Sequence, residues 1–197
     1  MGDSSAFNLR RLGWGFVIVL LDIRIGGFDL LPDAIGCILI AVSLHQLSLA
    51  GAGARDFRKA KMAAIALIFA SLPAWLFVPG IDTASSAAFA DVPLSRHLYF
   101  QTLTALHVLL AYWCFDGYFA IARQAGRTEL LDTIHFRKNM YMILAVFQFI
   151  VYPFLLNAES GLGTLLFVLG ICSLVAELLL IRIAFRLSHT ARPSRIR

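Results

Sequence analysis

The sequence predicts an all-α fold, a bundle of six transmembrane helices forming one domain over 1–197, with both termini on the same side of a membrane. Three observations predict it. Of the 197 residues 59% are apolar and 15% charged, where ordinary globular chains have roughly 45–50% and about 25%; the mean hydropathy is +0.78. The apolar residues gather into six runs. All Lys and Arg but two fall in alternate connecting segments.

The first run covers about 12–25, with Gly26-Gly27 as its breaking point. Arg10 and Arg11 before Leu12–Leu21 mimic a signal peptide. No small-x-small site follows, however, and Asp22 and Arg24 interrupt the run, which predicts a retained helix. The second run, 30–49, starts at Leu30-Leu31-Pro32-Asp33 and ends near Gly51 and Gly53, with proline and acids at its start and glycine past its end. The third, 62–78, contains Pro73, which removes a backbone donor and predicts a kink. Residues 81–95 form the longest loop without basic residues, and the fourth run is 98–122. From 127 to 137 Leu130, Leu131 and Ile134 share one face among charges, which predicts a short amphipathic helix on the membrane surface. The fifth run is 140–156 and the sixth 162–183. Six spans of about 20 residues use roughly 120 residues and leave no room for a second aqueous domain.

Charge gives the orientation. Arg10 and Arg11, then Arg55, Arg58, Lys59 and Lys61, then Arg123, Arg127, Arg137 and Lys138, then Arg182, Arg186, Arg192, Arg195 and Arg197 share one side, leaving Arg24 and Arg96 for the other. Basic loops face the cytoplasm, so both termini are expected inside and the chain is expected in the plasma (inner) membrane as a multi-pass protein. The net charge of +5 forms no continuous stripe. It excludes nucleic acid as a partner and favours the bilayer itself, with anionic headgroups at the inner loops. A second copy or a partner membrane protein completes the expected partners. Cys37, Cys114 and Cys172 lie singly in apolar runs without CxxC spacing and are read as small hydrophobes. Trp14, Trp75 and Trp113 are read as packing and interface aromatics.

In a bilayer the informative residues are the ionisable ones, each costing about 2.5–3.5 kcal/mol at a helix centre on insertion scales. At about 1.5 Å per residue His45 lies roughly 22 Å from Leu30, Glu177 the same from Leu162, and Asp116 about 27 Å from Leu98. His45, Asp116 and Glu177 thus share one layer of the inner half. If they converge, an imidazole and two carboxylates relay protons or ligate a cation; if not, each pairs locally, Asp116 with Arg123 and Glu177 near Arg182. His107 and Asp116, nine residues apart, point to opposite helix faces. His107 and Gln148 are a candidate interhelical bond worth about 1 kcal/mol. Asp22, Arg24, Asp29 and Asp33 crowd the outer end of the first hairpin, either as a cation-accepting pocket or as a cap with its counter-ion.

The stretch FDLLPDAIGCILI, Phe28–Ile40, resembles a pattern in small uncharacterised bacterial integral membrane proteins, in which D-(apolar)2-P-D-x-(apolar)-G precedes an apolar run. The resemblance covers residues 12–50 and implies a membrane hairpin; it implies no activity. Where those proteins often carry an aromatic residue after the glycine, Cys37 stands here.

The chain lacks GxxxxGK[ST], HExxH, GxSxG and GxGxxG. No catalytic residue, cofactor or metal is therefore expected. Three functions fit a small polytopic chain: a transporter or permease of unidentified solute, a structural or accessory subunit whose basic loops hold a partner or anionic lipid, and an intramembrane enzyme.

Overall fold

The computed structural model describes residues 3–21, 24–25, 28–29, 33–77, 94–155 and 163–190. Six helices carry the fold: α1 Asp3–Leu20, α2 Asp33–Leu49, α3 Ala54–Phe77, α4 Leu94–Gln124, α5 Thr128–Leu155 and α6 Gly163–Thr190. Between α1 and α2 lie two-residue strands, β1 Arg24–Ile25 and β2 Phe28–Asp29, paired antiparallel with Arg24 opposite Asp29 and Ile25 opposite Phe28. Among the described residues the fold is all-α apart from this ladder.

Three expected boundaries are corrected. The first helix starts at Asp3 and ends at Leu20, and Arg24–Ile25 belongs to the strand pair. The third starts at Ala54 and carries Arg55, Arg58, Lys59 and Lys61 within it, running on through Pro73. The segment 127–137 is no separate surface helix, because it is the first part of α5. The cause is the turn before it. Gly126, at φ 66°, ends α4 in the left-handed conformation, and the Arg127 N–H reaches back to the Ala122 carbonyl at 3.0 Å. That closes α4 so tightly that α5 begins at Thr128.

Each helix packs on its chain neighbours, α1 on α2, α2 on α3, α3 on α4, α4 on α5 and α5 on α6, while α6 returns to α1 and also touches α4. The result is a closed ring of helices. Its core residues recur at helical spacing, such as Leu9, Leu12 and Phe16 on α1, Ile40, Leu44 and Leu47 on α2, and Leu180, Ala184 and Leu187 on α6. Where α1 crosses α2 the backbones nearly touch. A Cβ on Gly36 would lie 2.5 Å from Val19 Cγ2 and 3.0 Å from the Gly15 carbonyl oxygen. At the α3 start Gly53, at φ 68°, abuts Gly117 of α4, over which the Phe57 ring lies.

Contacts between helices align the basic segments at one end. Arg11 Nε donates to Ser43 Oγ at 2.9 Å, Trp14 meets Phe185 edge-on, and Arg137 Nη1 donates to the Leu179 carbonyl at 3.3 Å. Burial, together with Arg182 and Arg186 nearby, holds the Arg137 guanidinium below its ordinary pKa. The opposite end carries Tyr99, whose hydroxyl donates to the Ala70 carbonyl of α3.

The outward faces are apolar too. Phe7 and Trp14 on α1, Ile38 and Val42 on α2, Met62 and Phe69 on α3, Leu109 on α4, Ile143 and Ile150 on α5, and Phe167 and Leu174 on α6 are all exposed. Two stretches among the described residues are long and apolar enough to cross a membrane, His97–Gln124 and Phe167–Thr190; Ile35–Leu49 is a shorter apolar helix.

Candidate functional site

One cluster of hydrogen-bonded polar side chains lies where α4, α5 and α6 meet. The geometry starts on α5, whose Lys138, Tyr141, Gln148 and Tyr152 fall at steps of three, seven and four residues. At about 100° per residue these positions share one face. Ile143, Val146, Phe147 and Ile150 fall on the exposed face. The helix is amphipathic with its polar stripe turned inward.

Glu177 on α6 is the centre of the site. Its Oε1 accepts from His107 Nε2 of α4 at 2.8 Å and from the Tyr141 hydroxyl of α5 at 2.5 Å. Three helices thus meet on one carboxylate oxygen. Phe16 of α1 stands edge-on to the His107 ring, with centroids 6.3 Å apart. Beside this group lies a cavity of about 180 Å³ lined by Thr104, His107, Tyr141, Gln148, Ser173 and Glu177, with apolar Val108 and Leu144 between them. Across it the Ser173 hydroxyl donates to Gln148 Oε1 at 3.3 Å.

Two further pairs flank the centre. Toward the end away from the basic segments, buried His97 of α4 shares a hydrogen bond of 2.8 Å between its Nδ1 and the Tyr152 hydroxyl, and Gln101 reaches the same hydroxyl. Toward the basic end, Lys138 Nζ donates to Asp116 Oδ1 and lies 3.8 Å from the centroid of the Tyr112 ring. Asp116 also borders an open groove of about 580 Å³ with Asp56, Arg123 and Gln124.

Among the described residues, His45, Asp116 and Glu177 are not joined to one another. His45 is exposed on α2 and its carbonyl accepts from Ser48; Asp116 pairs with Lys138; Glu177 binds His107 and Tyr141. Similar depth gave these three a common layer, but rotation about each helix axis directs them to different partners. No group of three His, Cys, Asp or Glu among the described residues is placed to hold a metal ion. His107 and Gln148 border the same cavity, His107 being bonded to Glu177 and Gln148 to Ser173. In the outer group Arg24 and Asp29 are ladder partners and Asp33 opens α2; Asp22 and the side chains of all four lie outside the described residues. Cys37 and Cys114 are buried and Cys172 is exposed.

Sequence reasoning passed over Tyr141, Tyr152, His97, Lys138 and Ser173. The usable signal was the spacing of Lys138, Tyr141, Gln148 and Tyr152 on one face of α5, hidden because tyrosine was counted with the apolar residues. Comparison with known protein families, with curated proteins and with solved structures gave no match.

Proposed function

We propose that this chain is a six-span plasma-membrane protein of permease-like build, its basic end cytoplasmic, and that Glu177, His107 and Tyr141 form the polar site through which it handles its solute. The apolar outer faces of all six helices support the membrane setting, because a water-exposed bundle would leave Phe69, Ile143, Phe167 and Leu174 in solvent. Alternate basic segments gathered at one end support the orientation.

The observation that carries the reading is Glu177 held by an imidazole and a phenol beside a cavity, in the apolar body of α6. Packing alone does not require such a group. An interhelical hydrogen bond in a membrane averages about 0.6 kcal/mol, and a neutral glutamine would supply it without the roughly 2.5–3.5 kcal/mol insertion cost of an ionisable side chain. The accessory-subunit reading rests instead on the basic end, where Arg137, Arg182 and Arg186 crowd together.

Reconstitution in liposomes with entrapped indicators for Na⁺, K⁺ and H⁺ separates the two. Glu177→Gln is expected to stay monodisperse in detergent and lose the flux of the ion that the wild type moves. A variant that loses only its fold, from a parent with no flux of any ion, would leave the site as structural glue.

A further inference from the structure

We propose, building on that permease reading, that the polar seam between α4, α5 and α6 is a proton path and that the ion handled at Glu177 is H⁺. The stations of the seam follow one another in depth along α4 and α5. From the end away from the basic segments its stations are His97 with Tyr152 and Gln101, then Gln148 with Ser173, then His107 and Tyr141 on Glu177, then Lys138 on Asp116. Along α4 from His97 to Asp116 it covers 19 residues, about 28 Å at 1.5 Å per residue. The hydrocarbon core is about 30 Å thick. Few other features of the bundle run its whole depth.

The station chemistry selects the proton over a metal cation. Hydroxyl and imidazole groups both donate and accept, so each can take a proton on one side and release one on the other. A dehydrated Ca²⁺ or Mg²⁺ needs about six converging oxygens, and no cluster of acids, His or Cys among the described residues provides a core for them. Glu177 Oε1 already accepts two hydrogen bonds, whereas a proton needs only a single lone pair on either carboxylate oxygen. Chains of Asp, Glu and His across membranes are the usual hardware of proton transfer.

Along α5 the longest step lies between Gln148 and Tyr141, seven residues or about 10 Å. The cavity of about 180 Å³ occupies that step, with the Thr104 and Ser173 hydroxyls, Gln148 and Glu177 on its wall. A site of that polarity and size has room for a few waters, each needing two to four polar partners. The transfer itself is simple in balance. A proton leaves a hydronium, which becomes water, or the imidazolium of His107, which becomes neutral imidazole, and binds a Glu177 oxygen, one O–H bond forming as one O–H or N–H bond breaks, and nothing is oxidised. On the basic side Asp116 receives it at the groove of about 580 Å³, which opens to the aqueous phase beside Arg123. The titratable groups facing Glu177 are His107, Cys114 and Tyr118 from α4 and Tyr141 from α5, with the Arg137 guanidinium on the Leu179 carbonyl two residues along; α1 contributes the Phe16 ring.

The test uses the full chain in liposomes with an entrapped pH dye and a potassium diffusion potential set by valinomycin. Wild type is expected to acidify the lumen faster than empty liposomes. Glu177→Gln should lose about tenfold or more of that rate, Tyr152→Phe and Gln148→Leu several-fold, and lipid-facing Ile143→Ala nothing. Wild-type vesicles no faster than empty ones, or Glu177→Gln as fast as wild type, would overturn the proposal. Glutamate-dependent flux of Na⁺ or K⁺ without H⁺ movement would also overturn it while leaving the permease reading intact; absence of every flux would remove both. A second measurement needs no variant: a hydrophobic carbodiimide, which attacks protonated carboxyls, should label Glu177 in wild type at low pH and fail at high pH. Labelling independent of pH, or absent throughout, contradicts a proton-exchanging Glu177.

Discussion

The ammonium of Lys138 on α5 joins the Asp116 carboxylate of α4 while resting on the Tyr112 ring, so one cation ties the two longest neighbouring helices at the basic end. Lys138 is 18% and Asp116 32% exposed, which places the pair between a surface bridge worth about 0–1 kcal/mol and a buried one whose breakage costs about 3–5.

Lys138→Met and Asp116→Asn are therefore expected to destabilise singly more than their combination predicts, with a coupling of about 1–2 kcal/mol. Unfolding in detergent micelles, followed by helical circular dichroism over the double-mutant cycle, measures it. Strict additivity would mean that the pair contributes nothing to holding α4 against α5.

Gly117 lies beneath the Phe57 ring, and a Cβ there would stand 2.4–2.8 Å from three of its carbons. Gly117→Ala should lower stability by about 1–3 kcal/mol, the usual range for overpacking. Phe57→Leu in the same chain should recover most of the loss by retreating from the added methyl. A melting temperature unchanged by Gly117→Ala would show that α3 and α4 are free to separate.

The glycines of α2 and α6 should respond in opposite ways. Gly36→Ala drives a methyl into Val19 and the Gly15 carbonyl, whereas a Cβ on Gly170 meets nothing within 4 Å. Gly36→Ala is expected to destabilise, again by about 1–3 kcal/mol. Gly170→Ala should be neutral or gain up to about 1 kcal/mol from helix propensity. Equal responses, read as detergent melting temperatures, would contradict the close α1–α2 crossing.

Orientation is checked with single cysteines in a background lacking Cys37, Cys114 and Cys172. Ala52→Cys and Ala125→Cys should react with an impermeant maleimide only in inside-out vesicles, and Ser86→Cys only in right-side-out ones. Reaction of positions 52 and 125 from opposite sides would break the six-span arrangement.

The helices were legible because their signals are one-dimensional. Apolar runs, the start at Pro32-Asp33 and the glycine stops at Gly51 and Gly53 lie along the chain, and so does the grouping of Lys and Arg that the packed bundle collects at one end. Partners were less legible because they depend on rotation. Depth placed Glu177 and Asp116 in one layer, but only the rotation of α4 turns His107 to α6 while Asp116 faces Lys138. The two glycines differ for the same reason: Gly36 is pinned between helices and Gly170 faces open space. The extra length of α5 came from the tight turn at Gly126, whose left-handed φ admits Thr128 directly into a helix.

Because α6 returns to α1, with Phe185 against Gly13 and Trp14, the order in which the helices are threaded is separable from how they pack. A circularly permuted chain, with a short linker from α6 to α1 and new ends cut at Gly126, would keep every helix pointing as before. The helices of this ring would simply be met from a different starting point along the chain.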